Sequence, residues 1–275
     1  MLSEKETSYP DIKQSWGIVG ISILAMLVLT PVIILLSPLT GKAFATLVYY
    51  LMAMGISFWF AHFNRLKWNT TSTYNFELAS GKITALAAIG VIAIQIGVVS
   101  PLVSIIPIPE FMRQIFIEFG NQKSIFSAIT IIIAAPILEE LVFRGIILDG
   151  LLKKYSPIKS ILVSSILFGV VHFNPWQFIA AFIIGCFSGW VYYKTRKLTP
   201  SIIIHFANNL VAFIAIYSTD MESYLNKSMI EIYGGLFTMI VTILGAMLVA
   251  IACIYFLHLE FKNIKFNHDG DKGYT

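Results

Sequence analysis

The chain of 275 residues is 57% hydrophobic and only 12% charged, with a mean hydropathy of +0.79, whereas an ordinary soluble domain carries about 25% charged residues. That balance excludes a water-soluble globule. The net charge of +4 is modest and no basic stripe with interleaved aromatics occurs, so nucleic acid is not an expected partner.

The first 15 residues are polar, and the apolar run that follows exceeds a signal peptide's apolar stretch, so it reads as a retained helix. Stretches able to cross a bilayer core of about 30 Å lie near 16–38, 44–61, 82–106 and 124–148, then near 158–174, 176–193, 200–218 and 231–258. The expected fold class is therefore an all-α polytopic membrane protein with eight spans in one domain, 16–260, and a polar tail at 261–275. Alternate loops differ sharply in basic residues, with fourteen Lys and Arg on one side against four on the other. This asymmetry puts both termini in the cytoplasm, and the plasma (inner) membrane is the expected location. Segment 110–123 has apolar residues at helical spacing with interspersed charges and reads as an interfacial helix.

Ser156-Pro157 and Thr199-Pro200 each pair an N-cap residue with proline, marking the starts of spans five and seven. Gly185 and Gly189 give span six a small face for close helix packing. The two cysteines, Cys186 and Cys253, lie inside apolar runs and form no CxxC metal pair.

Ionisable side chains in hydrocarbon cost at least about 2.5 kcal/mol each, so each needs a reason to be there. They cluster in three spans. Span four holds Glu139, Glu140 and Arg144; span five ends in His172; span seven holds His205 and Asn209. Glu140 and Arg144 are four apart and share a face, where they can pair, while Glu139 is rotated by about 100° and faces something else. Phe168 with His172 and His205 with Asn209 are likewise i,i+4 pairs. Pro136 interrupts the hydrogen-bond ladder beside the acids. Counting 1.5 Å per residue, Glu139, His172 and His205 lie roughly 8–16 Å from the basic side, a depth that a cavity open to the cytoplasm can reach.

A lone membrane His or Asn is more often an interhelical hydrogen-bond partner than a catalyst; His62 reads as interfacial and Asn208 as packing. Clustering reverses that weighting for the three-span set. The motifs Glu139-Glu140-Leu-Val-Phe-Arg144, Phe168 to His172 and His205 to Asn209 resemble, in order, EExxxR, FxxxH and HxxxN of the CPBP intramembrane proteases. That family includes the CaaX prenyl proteases of the Rce1 type and bacteriocin-processing relatives, and its core would cover about 124–215.

The resemblance implies a glutamate peptidase without a cofactor, acting on a membrane-associated peptide or protein. Glu139 would be the general base, helped by His172. His205 and Asn209 would be oxyanion donors, with Glu140, Arg144 and Phe168 supporting the site. A desolvated carboxylate binds a proton more readily, which suits a base. Two other readings stand beside it. Zinc held by Glu139, His172 and His205 would make a metallopeptidase, although HExxH spacing is absent. A proton or ion relay would make a transporter, although no inverted repeat is visible.

Overall fold

All eight apolar runs become helical in the computed structural model, which describes residues 8–68 and 73–264, and no strand occurs among the described residues. Parts of the expected polar termini, 1–7 and 265–275, lie outside the described residues.

The first run makes two helices, α1 (Ile12–Val28) and α2 (Thr30–Thr40), bent by 42°. Pro31 explains the bend, because it has no N–H to donate to the preceding turn. The carbonyl of Met26, near that break, accepts from Thr30 Oγ1 at 3.1 Å and from Tyr49 Oη at 3.0 Å. Asp11 and Gln14 cap the start of α1 reciprocally.

The other long helices are α3 (Lys42–Trp68), α4 (Gly81–Ser104), α6 (Ile125–Lys154), α8 (Pro175–Thr195), α9 (Leu198–Tyr217) and α12 (Leu236–Lys262). Between them lie α5 (Glu110–Gly120), α7 (Pro157–Val170), and the short α10 (Met221–Asn226) and α11 (Met229–Ile232). Arg113 of α5 donates to the Leu225 carbonyl of α10 at 3.0 Å. Phe111, Ile115 and Phe119 stay exposed at i, i+4 and i+8, an apolar stripe that suits an interfacial helix.

Six helices are long and apolar enough to cross a membrane, and the bent α1–α2 pair makes a seventh if counted as one span. The chain is an integral membrane protein. The expectation of eight full spans is corrected at α7, which has 14 residues and so covers only about 21 Å. Expected span seven also starts differently from the sequence expectation: α9 begins at Leu198, with Lys197 as its N-cap. Thr199 instead donates its hydroxyl to the Phe76 carbonyl at 2.6 Å, and Leu198 N–H donates to the Asn75 carbonyl at 2.7 Å. The extended segment before α4 therefore supplies this helix with its anchor.

Three apolar cores form among the described residues. One joins Ile18 and Val19 of α1, Met54 and Ala61 of α3, Ile146 and Ile147 of α6, and Leu167 of α7. A second joins Val91 of α4, Phe187 of α8, Ile204 of α9 and Leu257 of α12. A third, smaller one joins Leu148 and Leu152 of α6 to Tyr192 of α8 and Leu198 of α9. Basic loop residues gather at one end of the bundle, where Arg65, Lys153 and Arg196 surround Asp149 at 2.9, 3.1 and 3.8 Å. Lys82 pairs with Glu260 at 2.6 Å at the same end.

Close approach of α4 and α12 depends on Gly97, where a Cβ would stand 2.8 Å from the backbone nitrogen of Met247. Backbone cannot swing aside as a side chain can. Gly97→Ala is expected to cost about 1–3 kcal/mol and lower the thermal midpoint in detergent, while Gly55→Ala, with nothing within 4 Å of its Cβ, leaves the midpoint unchanged.

Candidate active site

Helix α6 is not a uniform α-helix: residues Ile129–Ala134 and Phe143–Leu148 are π-helical, and the α-helical turns Ala135–Val142 lie between them. Each wide turn spreads the backbone by one residue and re-aims the side chains that follow, a feature often found at functional sites. Ala135 N–H donates to the Thr130 carbonyl, five residues back. In that register the next donor would serve Ile131, but residue 136 is proline and has none. Asn209 Nδ2 fills the gap, donating to the Ile131 carbonyl at 2.9 Å. Asn209 Oδ1 in turn accepts from Asn208 Nδ2 at 3.2 Å. Asn208, read from the sequence as packing, thus orients its neighbour's amide.

The two glutamates, both buried, have different surroundings. Glu140 Oε1 accepts from Arg144 Nη1 at 2.8 Å and lies 3.1 Å from His205 Nδ1, while its Oε2 accepts from Ser188 Oγ at 3.3 Å. Arg144 also donates to the Gly185 carbonyl at 3.2 Å, and its guanidinium lies over the Phe168 ring, 4.7 Å from the centroid. Helix α8 thus gives the charged network two partners, in addition to the close packing expected of Gly185 and Gly189. Its small residues admit that approach: a Cβ at Gly185 would stand 3.1 Å from Ser165 Cβ.

Glu139 has one donor, Tyr50 Oη at 2.6 Å from its Oε1. Its Oε2 is buried without a hydrogen-bond partner among the described residues, and His205 Nε2 stands 3.8 Å from it, beyond hydrogen-bond range. A cavity of about 120 Å³ lies alongside, lined by Ser22, Met26, Tyr50, Met54, Phe143 and His172. That volume admits water or a small side chain.

His172 follows the last turn of α7, where Phe173 takes a left-handed backbone (φ 56°) that breaks the helix. His172 Nδ1 lies 2.8 Å from the Phe168 carbonyl. A carbonyl only accepts, so Nδ1 carries the proton and Nε2 keeps its lone pair. Phe168 is the shared wall, with edge-on ring contacts to His172 at 5.3 Å and His205 at 5.6 Å. One turn from the cavity toward the basic end, Ile18, Val19, Ile146, Ile147 and Leu167 are packed and buried, so the cavity does not continue as a channel in that direction.

The fold therefore brings Glu139, Glu140, Arg144, Phe168 and His205 into one connected region, with His172 sharing the Glu139 cavity, while Asn209 lies one turn beyond His205 on α9 and bonds to the Ile131 carbonyl and Asn208. Tyr50 and Ser188 join them without having been marked by any motif. His62 pairs with Tyr74 at 2.7 Å at the basic end, apart from this region. Among the described residues no three His, Cys, Asp or Glu side chains stand close enough to share a metal ion, so Glu139, His172 and His205 as placed do not form a zinc set.

Residues 121–211 match the family model described as Type II CAAX prenyl endopeptidase Rce1-like, and this stretch contains all three motifs. The chain is 31% identical over 109 residues to the putative membrane peptidase YdiL of Bacillus subtilis (strain 168), an alignment covering 38% of this chain and 44% of that protein. It is 34% identical over 89 residues to UPF0177 protein YxdF of Lactococcus lactis subsp. lactis (strain IL1403), covering 32% of this chain and 49% of the other. The chain thus spans just under half the length of these curated relatives. No solved structure matches. The resemblance to the CPBP proteases read from the motifs holds for this segment.

Asn209→Leu strands the half-buried Ile131 carbonyl, and leaving an acceptor unsatisfied away from water costs up to about 1–3 kcal/mol. A lowered thermal midpoint in detergent, independent of any substrate, is the expected result.

Proposed function

From the premise that residues 121–211 are an Rce1-like segment, we propose that this protein is an intramembrane endopeptidase in which Glu139 activates water. The observation that carries this reading is the contrast between the two acids. Glu140 is engaged by three side chains and serves as the structural anion. Glu139 keeps a buried oxygen without a hydrogen-bond partner among the described residues, beside a cavity, which is where a general base must meet water.

In this mechanism Glu139 takes a proton from water while the lone pair of His172 Nε2 orients it, the water oxygen bonds to the scissile carbonyl carbon, and on collapse the C–N bond breaks as Glu139 passes that proton to the leaving amine. As the carbonyl becomes tetrahedral, the second N–H of the Asn209 amide supports the oxyanion, and His205 adds a donor at Nε2 only when doubly protonated, because its Nδ1–H faces Glu140; such a donor is worth about 2.7–4 kcal/mol where one has been removed. Arg144 and Glu140 hold His205 in place. The basic end of the bundle faces the cytoplasm of a plasma-membrane protein, by the loop asymmetry. The clustered Lys and Arg there favour a substrate with an acidic segment or free carboxylate. A prenylated CaaX-type tail meets that description, as does a peptide precursor of the bacteriocin kind. Such a peptide reaches Glu139 when the packed layer around Ile18 and Ile146 parts, or by entering between helices.

Cells carrying the natural chain are expected to yield cleavage products, in membrane and secreted peptidomes, that are missing from cells expressing Glu139→Ala at the same level. Identical peptidomes would sink the peptidase reading and favour a transport or scaffold role. Purified protein is expected to keep its hydrolytic activity in the presence of a strong chelator. Loss on chelation with recovery on adding zinc would replace the glutamate mechanism by a metal one.

A further inference from the structure

Tyr50 lies on α3, outside the residues that match the family model. Its hydroxyl donates to Glu139 Oε1 at 2.6 Å, a short contact of the charge-assisted kind. A glutamate side chain has three rotatable bonds, and a base must present its lone pair from a fixed position. Glu140 is fixed by three donors, whereas for Glu139 the described residues supply this one. His205 Nε2 at 3.8 Å is too distant to hold the second oxygen. Tyr50 is itself well anchored, being packed against the α1–α3–α6–α7 core, while the adjacent Tyr49 ties α3 to the Met26 carbonyl of α1 at 3.0 Å.

Building on the proposed peptidase reading, we infer that Tyr50 is the positioning residue for Glu139. Its hydroxyl occupies Oε1 and fixes the carboxylate, so that Oε2 is the acceptor left to take the proton from water. The tyrosine neither touches the peptide nor transfers a proton. The Rce1-like segment is on this account an incomplete site, and α3 completes it.

The test uses the full chain in lipid nanodiscs with an internally quenched farnesylated CaaX peptide as probe, comparing the natural protein, Tyr50→Phe and Glu139→Gln. Tyr50→Phe removes only the hydroxyl and keeps the ring's packing. It is expected to lower kcat about 10- to 100-fold, the range for a lost hydrogen bond to a charged group. KM should stay within about twofold, the thermal midpoint should not change, and no further loss should appear when Tyr50→Phe is combined with Glu139→Gln. Natural-level kcat in Tyr50→Phe, or a change confined to KM, overturns the role of Tyr50 while leaving the peptidase reading intact, provided Glu139→Gln is inactive. If Glu139→Gln cleaves as well as the natural protein, or neither cleaves, the peptidase reading fails for this probe and the role of Tyr50 fails with it. A readout without turnover is the infrared carboxyl band of Glu139, assigned by difference from Glu139→Gln. That band is expected to shift in Tyr50→Phe, and an unmoved band overturns the contact itself.

Discussion

The pairing of Arg144 with Glu140 sets the terms for everything around it. Both side chains are almost wholly buried, at 1% exposure each, and desolvating such a pair costs several kcal/mol per ion unless other hydrogen bonds make up the difference. The partners come from three other helices: Ser188 and the Gly185 carbonyl on α8, His205 on α9 and the Phe168 ring on α7. These four contacts account for why α8 carries glycine where it crosses α7 and why α9 brings a histidine to the same depth. They also free Glu139 from structural duty, since the neighbouring acid absorbs the guanidinium.

Helix α6 makes this arrangement possible by departing from regular geometry on both sides of the acids. Pro136 removes a donor that the wide turn before it would have used, and a side chain from α9 supplies one in its place. The same residue that resembles an oxyanion donor is thereby a strut between two spans. The proposed oxyanion role would use the other hydrogen of the same amide. Asp149, five residues beyond Arg144, repeats the theme at the basic end, where buried Arg65 and the Tyr192 hydroxyl converge on it.

Much of this was legible in the chain. Apolar runs located every long helix because bilayer thickness imposes a length, and the cost of burying charge singled out Glu139, Glu140, Arg144, His172 and His205 with Asn209. What stayed hidden depended on partners distant in sequence. Tyr50 sits in an aromatic-rich helix where a tyrosine looks like packing, and only the fold puts Glu139 within reach of its hydroxyl, 89 positions away in the chain. Ser188 belongs to no motif and sits between Gly185 and Gly189, the two residues that marked a packing face. The π turns leave no mark in hydrophobic periodicity, since one added residue per turn shifts a pattern too little to notice against an all-apolar background. Thr199 matched an N-cap by type, yet the chain before α4 offered its hydroxyl a better acceptor in Phe76.

The shortness of α7 has a consequence for the surrounding lipid. A helix of 14 residues falls about 9 Å short of a bilayer core of roughly 30 Å, and the turn that ends it carries His172 and the polar Asn174. Lipid beside that turn must thin, or its neighbours tilt, at a cost of fractions of a kcal/mol per ångström. The shortfall lies next to the Glu139 cavity, which His172 lines, so it shortens the hydrocarbon that water has to cross to reach it. Acyl-chain length becomes a variable acting on the site itself: a thicker membrane opposes the hydration of the turn, and a thinner one favours it.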